Sequence, residues 1–555
     1  MASRPLLEGV SGDSVTKCGK SMTTKSDFDK NWDKNLPGVL YGLTFPISAD
    51  QIKSQEFGAQ WFTKAFRASG VIPSTVTVSE VVSCTDITKD VGGGAGNKAT
   101  LELKYAGDWG AAMKQPTNFF VKLPAANKDD RYRAASMNAA GPEIGFGHLL
   151  CSPVKQASTF PQRVTKMYFA DINLESSNFI EIQEALTFAD GKAPGALFPA
   201  YPKLKDWSID QALVDQFYPL LAKSLAQQCA WYETIKASSL GEQIRSVFKY
   251  ANLFDSVPSS GHCLLRPLLY WLGRSLFFFS VNFIKQVPNL CPPEILKPEY
   301  LKKYQREVEE CLYMFPEILM ELKGAPDKPG NVLYGHPNLC IDNVFFYRGA
   351  DGKEIKCGGL DFGGYGGTTA VVLLSGALGG MEDDKYVKDA NNIFRTFCKE
   401  YTKVSGSSLP EEQVVRDMAL VEVFNCLVCF ASVAVELPKY ASIKQLQECS
   451  SFRDGLVVDN FYARCFARMG IQTYTRFIKQ GTYEHMKKWR KEKNIAGPGL
   501  SSYIFYWPWN PVHTCFMRVQ VALYNKSLLG ITWGLFFLAV LGGIVYGLLH
   551  ASGVA

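Results

Sequence analysis

The sequence predicts an α+β protein of two lobes, β-rich first and helical second, followed by one C-terminal apolar helix. Three observations carry this. Strand-like segments dominate from about residue 51 to 125, long helical periods begin at Ile209, and Leu528 to Leu549 runs 22 residues without a charge. With 555 residues, 47% of them hydrophobic and 20% charged, the chain can bury a large core. A net charge of +6, from 59 basic and 53 acidic residues, is too mild to point to nucleic acid, and none is expected as a partner.

Residues 1–50 read as an N-terminal extension. The opening MASRPLLEGVSGDSVTKCGKSMTTKS has no apolar stretch of the kind a secretory signal needs, and Glu8 and Asp13 count against a transit peptide. The 15 cysteines are scattered, and no CxxC pair has a matching pair downstream. Reduced, mostly buried thiols are therefore expected, rather than a zinc site or a disulfide framework.

The β-rich lobe is placed at 51–186. VSEVVSCTDI and ATLELKYA are strand-like segments separated by KDVGGGAGNK, which puts Gly92, Gly93, Gly94 and Gly96 in the turn between two strands. Such a turn can lie over nucleotide phosphates, whereas a dinucleotide-binding or P-loop motif needs a strand, a turn and a helix. No Gly-Lys-Ser/Thr and no helix pattern follows this turn, so those two are excluded here. NFFVKLP supplies a further strand carrying Lys122, and GPEIGFGHLL reads as a helix carrying Glu143. SNFIEIQEAL reads as a strand that runs into a linker at Glu184.

The helical lobe is placed at 187–480 and begins with DQALVDQFYPLLAKSLAQQCAWYE. Within it, Pro267 to Ile284 is apolar but interrupted by Arg274, which suits a core or interfacial helix better than a membrane span. The chemically informative stretch is VLYGHPNLCIDNVFFYRGADGKEIKCGGLDFGGYGG, from Val332 to Gly367. Two strands, NVFFY and KCGGLDF, flank a glycine turn. His336 and Asn343 precede the first strand, and Asp361-Phe362-Gly363 ends the second.

This pattern resembles the choline-kinase-like and aminoglycoside-phosphotransferase-like families, which share the protein-kinase fold. Their motif is His-Gly-Asp, four residues, Asn, a β-hairpin, then Asp-Phe or Asp-Trp. His336, Asn343 and Asp361 match it, Lys122 and Glu143 match the family's phosphate-binding pair, and Glu184-Ala-Leu is similar to its Glu-Asp-Leu linker. The resemblance runs from about residue 80 to 470. It implies ATP and Mg²⁺ as cofactors, with Asn343 and Asp361 as metal ligands. Lys122 would sit on the phosphates, oriented by Glu143, and Gly92 to Gly96 would cover them.

The departures are as informative. The family's catalytic aspartate falls at Asn338, beside His336, and an amide cannot take the substrate proton as a carboxylate does. A second acid of the family falls at Ala370. The resemblance therefore implies a kinase-like protein altered at its base: a pseudokinase that binds nucleotide or serves as a scaffold or accessory subunit. The alternative is an active small-molecule phosphotransferase that tolerates Asn338 and acts on a hydroxyl substrate.

Residues 481–527 form a basic and aromatic segment that includes Lys487, Lys488, Arg490, Lys491 and Lys493, then YIFYWPWNP. The apolar run 528–549 spans roughly 33 Å as a helix, close to the thickness of a bilayer's hydrocarbon core. Trp533 and Tyr546 lie near its ends. Arg518 and Lys526 precede it and only His550 follows, so the positive-inside tendency keeps the large domain on the cytosolic, matrix or stromal side. A tail anchor, with membrane-protein partners, is the expectation.

Overall fold

The structure is a computed structural model. It describes residue 10, residue 517 and residues 12–499, except 21–22, 92–95, 111–114, 137, 139, 152–158, 200–210, 249–261, 324–331, 461–462, 465 and 498. The expected membrane segment Leu528–Leu549 and the YIFYWPWNP stretch lie outside the described residues. Among the described residues no helix is long and apolar enough to cross a membrane.

The helices that matter below are α1 (Gly12–Lys20), α2 (Ala59–Ala68), α3 (Ala140–Phe146), α4 (Gln211–Ile235), α5 (His262–Gln286), α6 (Pro298–Tyr313) and α7 (Ala370–Leu378). The strands are β1 (Val76–Asp86), β2 (Asn97–Gly107), β3 (Asn118–Leu123), β4 (Arg163–Val164), β5 (Met167–Ile172), β6 (Phe179–Glu184), β7 (Leu333–Gly335), β8 (Val344–Arg348), β9 (Ile355–Gly359) and β10 (Gly366–Thr368). The chain divides into two compact units. One holds residues 1–251, 329–379 and 392–411; the other holds 252–328, 380–391 and 412–555.

The first unit is built on a five-stranded sheet in the order β1-β2-β3-β6-β5, with each neighbouring pair antiparallel. β2 alternates as a one-sided strand should: Ala99, Leu101 and Leu103 are buried, while Thr100, Glu102 and Lys104 face water. β6 is buried on both faces along Phe179–Gln183, and that run includes a glutamate, Glu181. A smaller sheet, β4-β9-β8, and the pair β10-β7 carry the segment from Val332 to Gly367.

The sequence led us to expect strands throughout 51–125, but α2 interrupts them. Its Trp61, Phe62, Ala65 and Phe66 fall on one helical face and join Val76, Val78, Leu101 and Phe119 in the core. A short helical turn, Thr88–Val91, also stands between β1 and β2.

The segment read as an extension is part of this unit. Asp171 of β5, fully buried, accepts backbone N–H bonds from Leu40 and Ile172 at 2.9 Å on Oδ1 and from Tyr41 at 3.0 Å on Oδ2. Burial pushes its carboxyl up to about 6 although the three N–H donors pull the other way. Further upstream, Val15 and Cys18 of α1 share a core with Ile144 and Phe146 of α3. The two backbones run so close that a Cβ on Gly141 would lie 2.1 Å from the Cys18 carbonyl oxygen. Asn138 adds a hydrogen bond from Nδ2 to the Gly19 carbonyl at 3.0 Å.

The second unit is helical among its described residues. The apolar run 267–284 lies within α5, where Arg274, only 4% exposed, pairs through Nε with Glu309 of α6 at 2.9 Å. Phe430 stacks on Tyr474 at 4.4 Å, and Phe277 meets Phe430 at 5.4 Å. Twelve of the described cysteines are free thiols, 10 of them buried.

Candidate functional site

β3 holds Lys122 in register between Lys98 of β2 and Glu181 of β6. α3 brings Glu143 over it, so that Nζ donates to both carboxylate oxygens at 2.7 Å. On its other side Nζ donates to Asp361 Oδ1 at 2.8 Å. Lys122 and Glu143 are largely buried, whereas the Asp361 side chain is 49% exposed. Burial alone would depress the Lys122 ammonium, but Asp361, Glu143 and Glu181 outweigh it and hold the group charged. The same ammonium holds the Asp361 carboxyl well below the usual carboxylate range, and burial pushes Glu143 up against the pull of Lys122.

Asp361 adopts a left-handed conformation, φ 58° and ψ 53°, where the chain turns out of β9. Aspartate tolerates this region better than most side chains, and such residues cluster at functional sites. The residue after it, Phe362, stacks on Phe146 of α3 at 4.0 Å with 5° between the rings. The helix that carries Glu143 and the turn that carries Asp361 are thus packed on one another.

His336 is fully buried. Its Nδ1 accepts the Asn338 backbone N–H at 3.2 Å, so its Nε2 donates to the Leu360 carbonyl at 2.9 Å. One nitrogen accepts and the other donates, which is the neutral ring; burial, the largest cause, lowers its pKa to about 4. Its backbone N–H donates to Gln228 Oε1 of α4 at 3.2 Å. His336 therefore fixes the loop and the turn together rather than facing a reactant.

Asn338 is exposed at the tip of that loop. Asn343 donates from Nδ2 to the Asn338 carbonyl at 2.8 Å and accepts the Leu360 N–H on its own carbonyl at 2.8 Å. The backbone of Asn338 is thus held from both sides. Ala370 opens α7, which packs against the same loop.

The remaining expected residues are placed as follows. Glu184 ends β6, with Oε2 accepting the Lys166 N–H at 3.3 Å and Oε1 at 3.7 Å from Arg163. Gly96 precedes β2 and lies against the Leu123 carbonyl, close to the root of Lys122. Gly92, Gly93 and Gly94 lie outside the described residues.

One residue of the cluster went unread in the sequence. Glu181 is fully buried; its Oε2 accepts from Gln183 Nε2 at 2.7 Å, and among the described residues its Oε1 has no hydrogen-bond partner. Burial and the neighbouring Glu143 hold its pKa well above the usual range. Gln183 also reaches Glu143 Oε1 at 3.3 Å. The available signal was an acid flanked by Ile180 and Ile182 in a strand otherwise apolar on both faces.

Among the described residues no three His, Cys, Asp or Glu side chains are grouped to hold a metal. The donors that fit Mg²⁺ are of another kind: the exposed Asp361 carboxylate and the Asn343 amide oxygen, whose own nitrogen is already committed to Asn338. Mg²⁺ commonly takes one or two protein oxygens and fills the rest with water and phosphate.

An antiparallel sheet carries a lysine paired to a helical glutamate, and the same lysine meets an aspartate just after a hairpin. This is the arrangement that the resemblance to the kinase-like families implies. Three solved structures resemble the chain. A Ralstonia eutropha protein assigned as an aminoglycoside phosphotransferase is 10% identical with TM-score 0.35, over 73% of this chain and 92% of that one. Plasmodium vivax ethanolamine kinase is 13% identical with TM-score 0.31, over 72% and 83% of the two chains. An aminoglycoside 2'-phosphotransferase in complex with GDP is 10% identical with TM-score 0.31, over 75% and 94%. At these scores the likenesses carry no argument, and no role is carried across from them. No protein-family model and no curated protein matches the chain.

Proposed function

We propose that this chain is a membrane-tethered, kinase-like protein that binds Mg·ATP and works as an accessory or scaffold subunit, with phosphoryl transfer lost at Asn338. The observation that carries the reading is the contrast within one site. The charged residues that would hold nucleotide, Lys122, Glu143 and Asp361, are assembled at 2.7–2.8 Å, while the exposed tip of the adjoining loop presents an amide.

When bound, Mg²⁺ would supply positive charge to offset that of the phosphates. The protein's part is to supply cation and shape. Lys122 would face the phosphates, kept charged and aimed by Glu143, and Asp361 and Asn343 would offer oxygens to the metal. Asn338 has no lone pair basic enough to take a hydroxyl proton near neutral pH.

The tether rests on the 22 uncharged residues Leu528–Leu549 and the basic residues before them, which would leave the kinase-like part on the cytosolic, matrix or stromal side. Membrane-protein partners would be met there.

An active small-molecule phosphotransferase is the second reading. It is favoured by the latching of the Asn338 backbone by His336 and Asn343, which preserves the position from which a base would act. Phosphoryl transfer depends mainly on positioning and electrostatics, so a residual rate is compatible with an amide there.

Calorimetric titration of the full chain with ATP, with and without Mg²⁺, tests the proposal. Metal-dependent binding without turnover of small hydroxyl compounds supports it. Turnover selects the second reading, and no binding at millimolar nucleotide rejects both.

A further inference from the structure

A cavity of about 410 Å³ lies wholly within the helical unit, in the groove between α5 and α6. Its size is within the range of small-molecule sites. Phe277, Phe278 and Val281 of α5 face Leu301 and Val308 of α6 across it. This apolar wall carries a one-signed rim. Lys285 and Lys302 both line the cavity and are both exposed, and among the described residues neither has a carboxylate within ion-pair distance.

The one acid lining the groove does not balance them. Glu309 Oε1 already accepts from Arg274 Nε at 2.9 Å and from Gln305 Nε2 at 3.1 Å. Arg274 and Glu309 cancel, leaving two lysines as the net charge of the lining. Lysines usually lay their stems on apolar surface and keep their heads in water, so one alone would mean little. Two converging on one concave, aromatic-walled groove are a recognition pattern: chain on the wall, anion on the rim.

We propose that this groove binds a single-chain amphiphile with an anionic head. The chain lies on Phe277, Phe278, Val281 and Leu301, and the carboxylate or phosphate is held by Lys285 and Lys302. A neutral chain would leave the lysines without function, and a bare anion would leave the aromatic wall uncovered. The site is built from residues of the helical unit alone and does not depend on the nucleotide site.

The test uses the full chain in nanodiscs of zwitterionic lipid, labelled with a photoreactive palmitate that bears a diazirine on its chain. Cross-links are then mapped by mass spectrometry. Labelling is expected on the peptides spanning 277–312, reduced about tenfold in the K285A/K302A double variant, since each exposed ion pair contributes several-fold. Val281→Trp, which fills the groove, should abolish labelling, while the exposed lysine substitutions leave the fold unchanged. Competition by unlabelled palmitate or by a single-chain phosphate lipid tells which head is preferred, and either supports the proposal. Equal labelling by the matching neutral alcohol overturns it. So does displacement by inorganic phosphate alone, labelling confined to other peptides, or labelling that both variants leave unchanged.

Discussion

Gly376 sits so close to Pro337 that a Cβ built on it would lie 1.6 Å from the Pro337 carbonyl oxygen. α7 therefore packs by backbone directly on the loop that carries Asn338, and no side chain fits between them. Gly376→Ala must push the loop or the helix away. We expect a loss of about 1–3 kcal/mol in denaturant unfolding, as for other overpacked sites, together with weaker Mg·ATP binding. A variant with wild-type stability and affinity would show that the loop position is not set by this contact.

Lys122→Ala removes the cation shared by Glu143 and Asp361. Affinity for Mg·ATP should fall at least tenfold, equivalent to about 1.4 kcal/mol, measured by calorimetry. Unchanged affinity would remove Lys122 from the phosphate site.

Asn338→Asp restores a carboxylate at an exposed, latched position. Proton acceptance is typically worth about 10²–10⁴-fold, and a gain within that range is expected in ATP-dependent transfer to small hydroxyl compounds. Absence of any gain, with nucleotide binding retained, would point instead to Ala370, where the resemblance implies a second acid.

Glu181→Gln tests the buried acid. Burial raises the folded pKa of this carboxyl above its ordinary value of 4.5, so the stability it contributes is lost as pH rises past that point. Glutamine keeps the shape and still accepts from Gln183. The variant should gain on the wild type as pH rises above 4.5, and the difference between them should stop changing below it. Parallel pH profiles in urea unfolding would mean that Glu181 is ionised in the fold.

His336 has the opposite sign. Its folded pKa is lowered from 6.5 to about 4, so the unfolded chain takes up its proton first as pH falls. The stability that His336 contributes relative to His336→Gln should be complete above pH 6.5. It should then decline by about 3 kcal/mol as pH falls to 4. A pH-independent difference between the two proteins would contradict a neutral buried ring.

The ion pair was legible in the sequence because its two ends lie on regular elements whose periods can be read: Lys122 on a strand, Glu143 on the next helix. Asp361 was legible because a hairpin with a glycine turn fixes where its second strand stops. α2 was missed because Ala59–Ala68 is a short helical period among strand-forming segments, and its face becomes clear only against β1 and β2. Glu181 and Asp171 were missed for a different reason. Their surroundings, Glu143 beside Glu181 and the backbone of Leu40 and Tyr41 around Asp171, are distant in sequence, and no local pattern records them.

The contact between Gly141 and the carbonyl of Cys18 has a practical bearing on how this protein is handled. The first twenty residues would conventionally be trimmed as a tail, yet α1 is the surface on which α3 rests, and α3 carries Glu143. A shortened start, a processing cut or an N-terminal tag that displaced α1 would be felt at Lys122 and scored as a failed nucleotide site. Any comparison between preparations of this chain thus begins with which residue each one starts on.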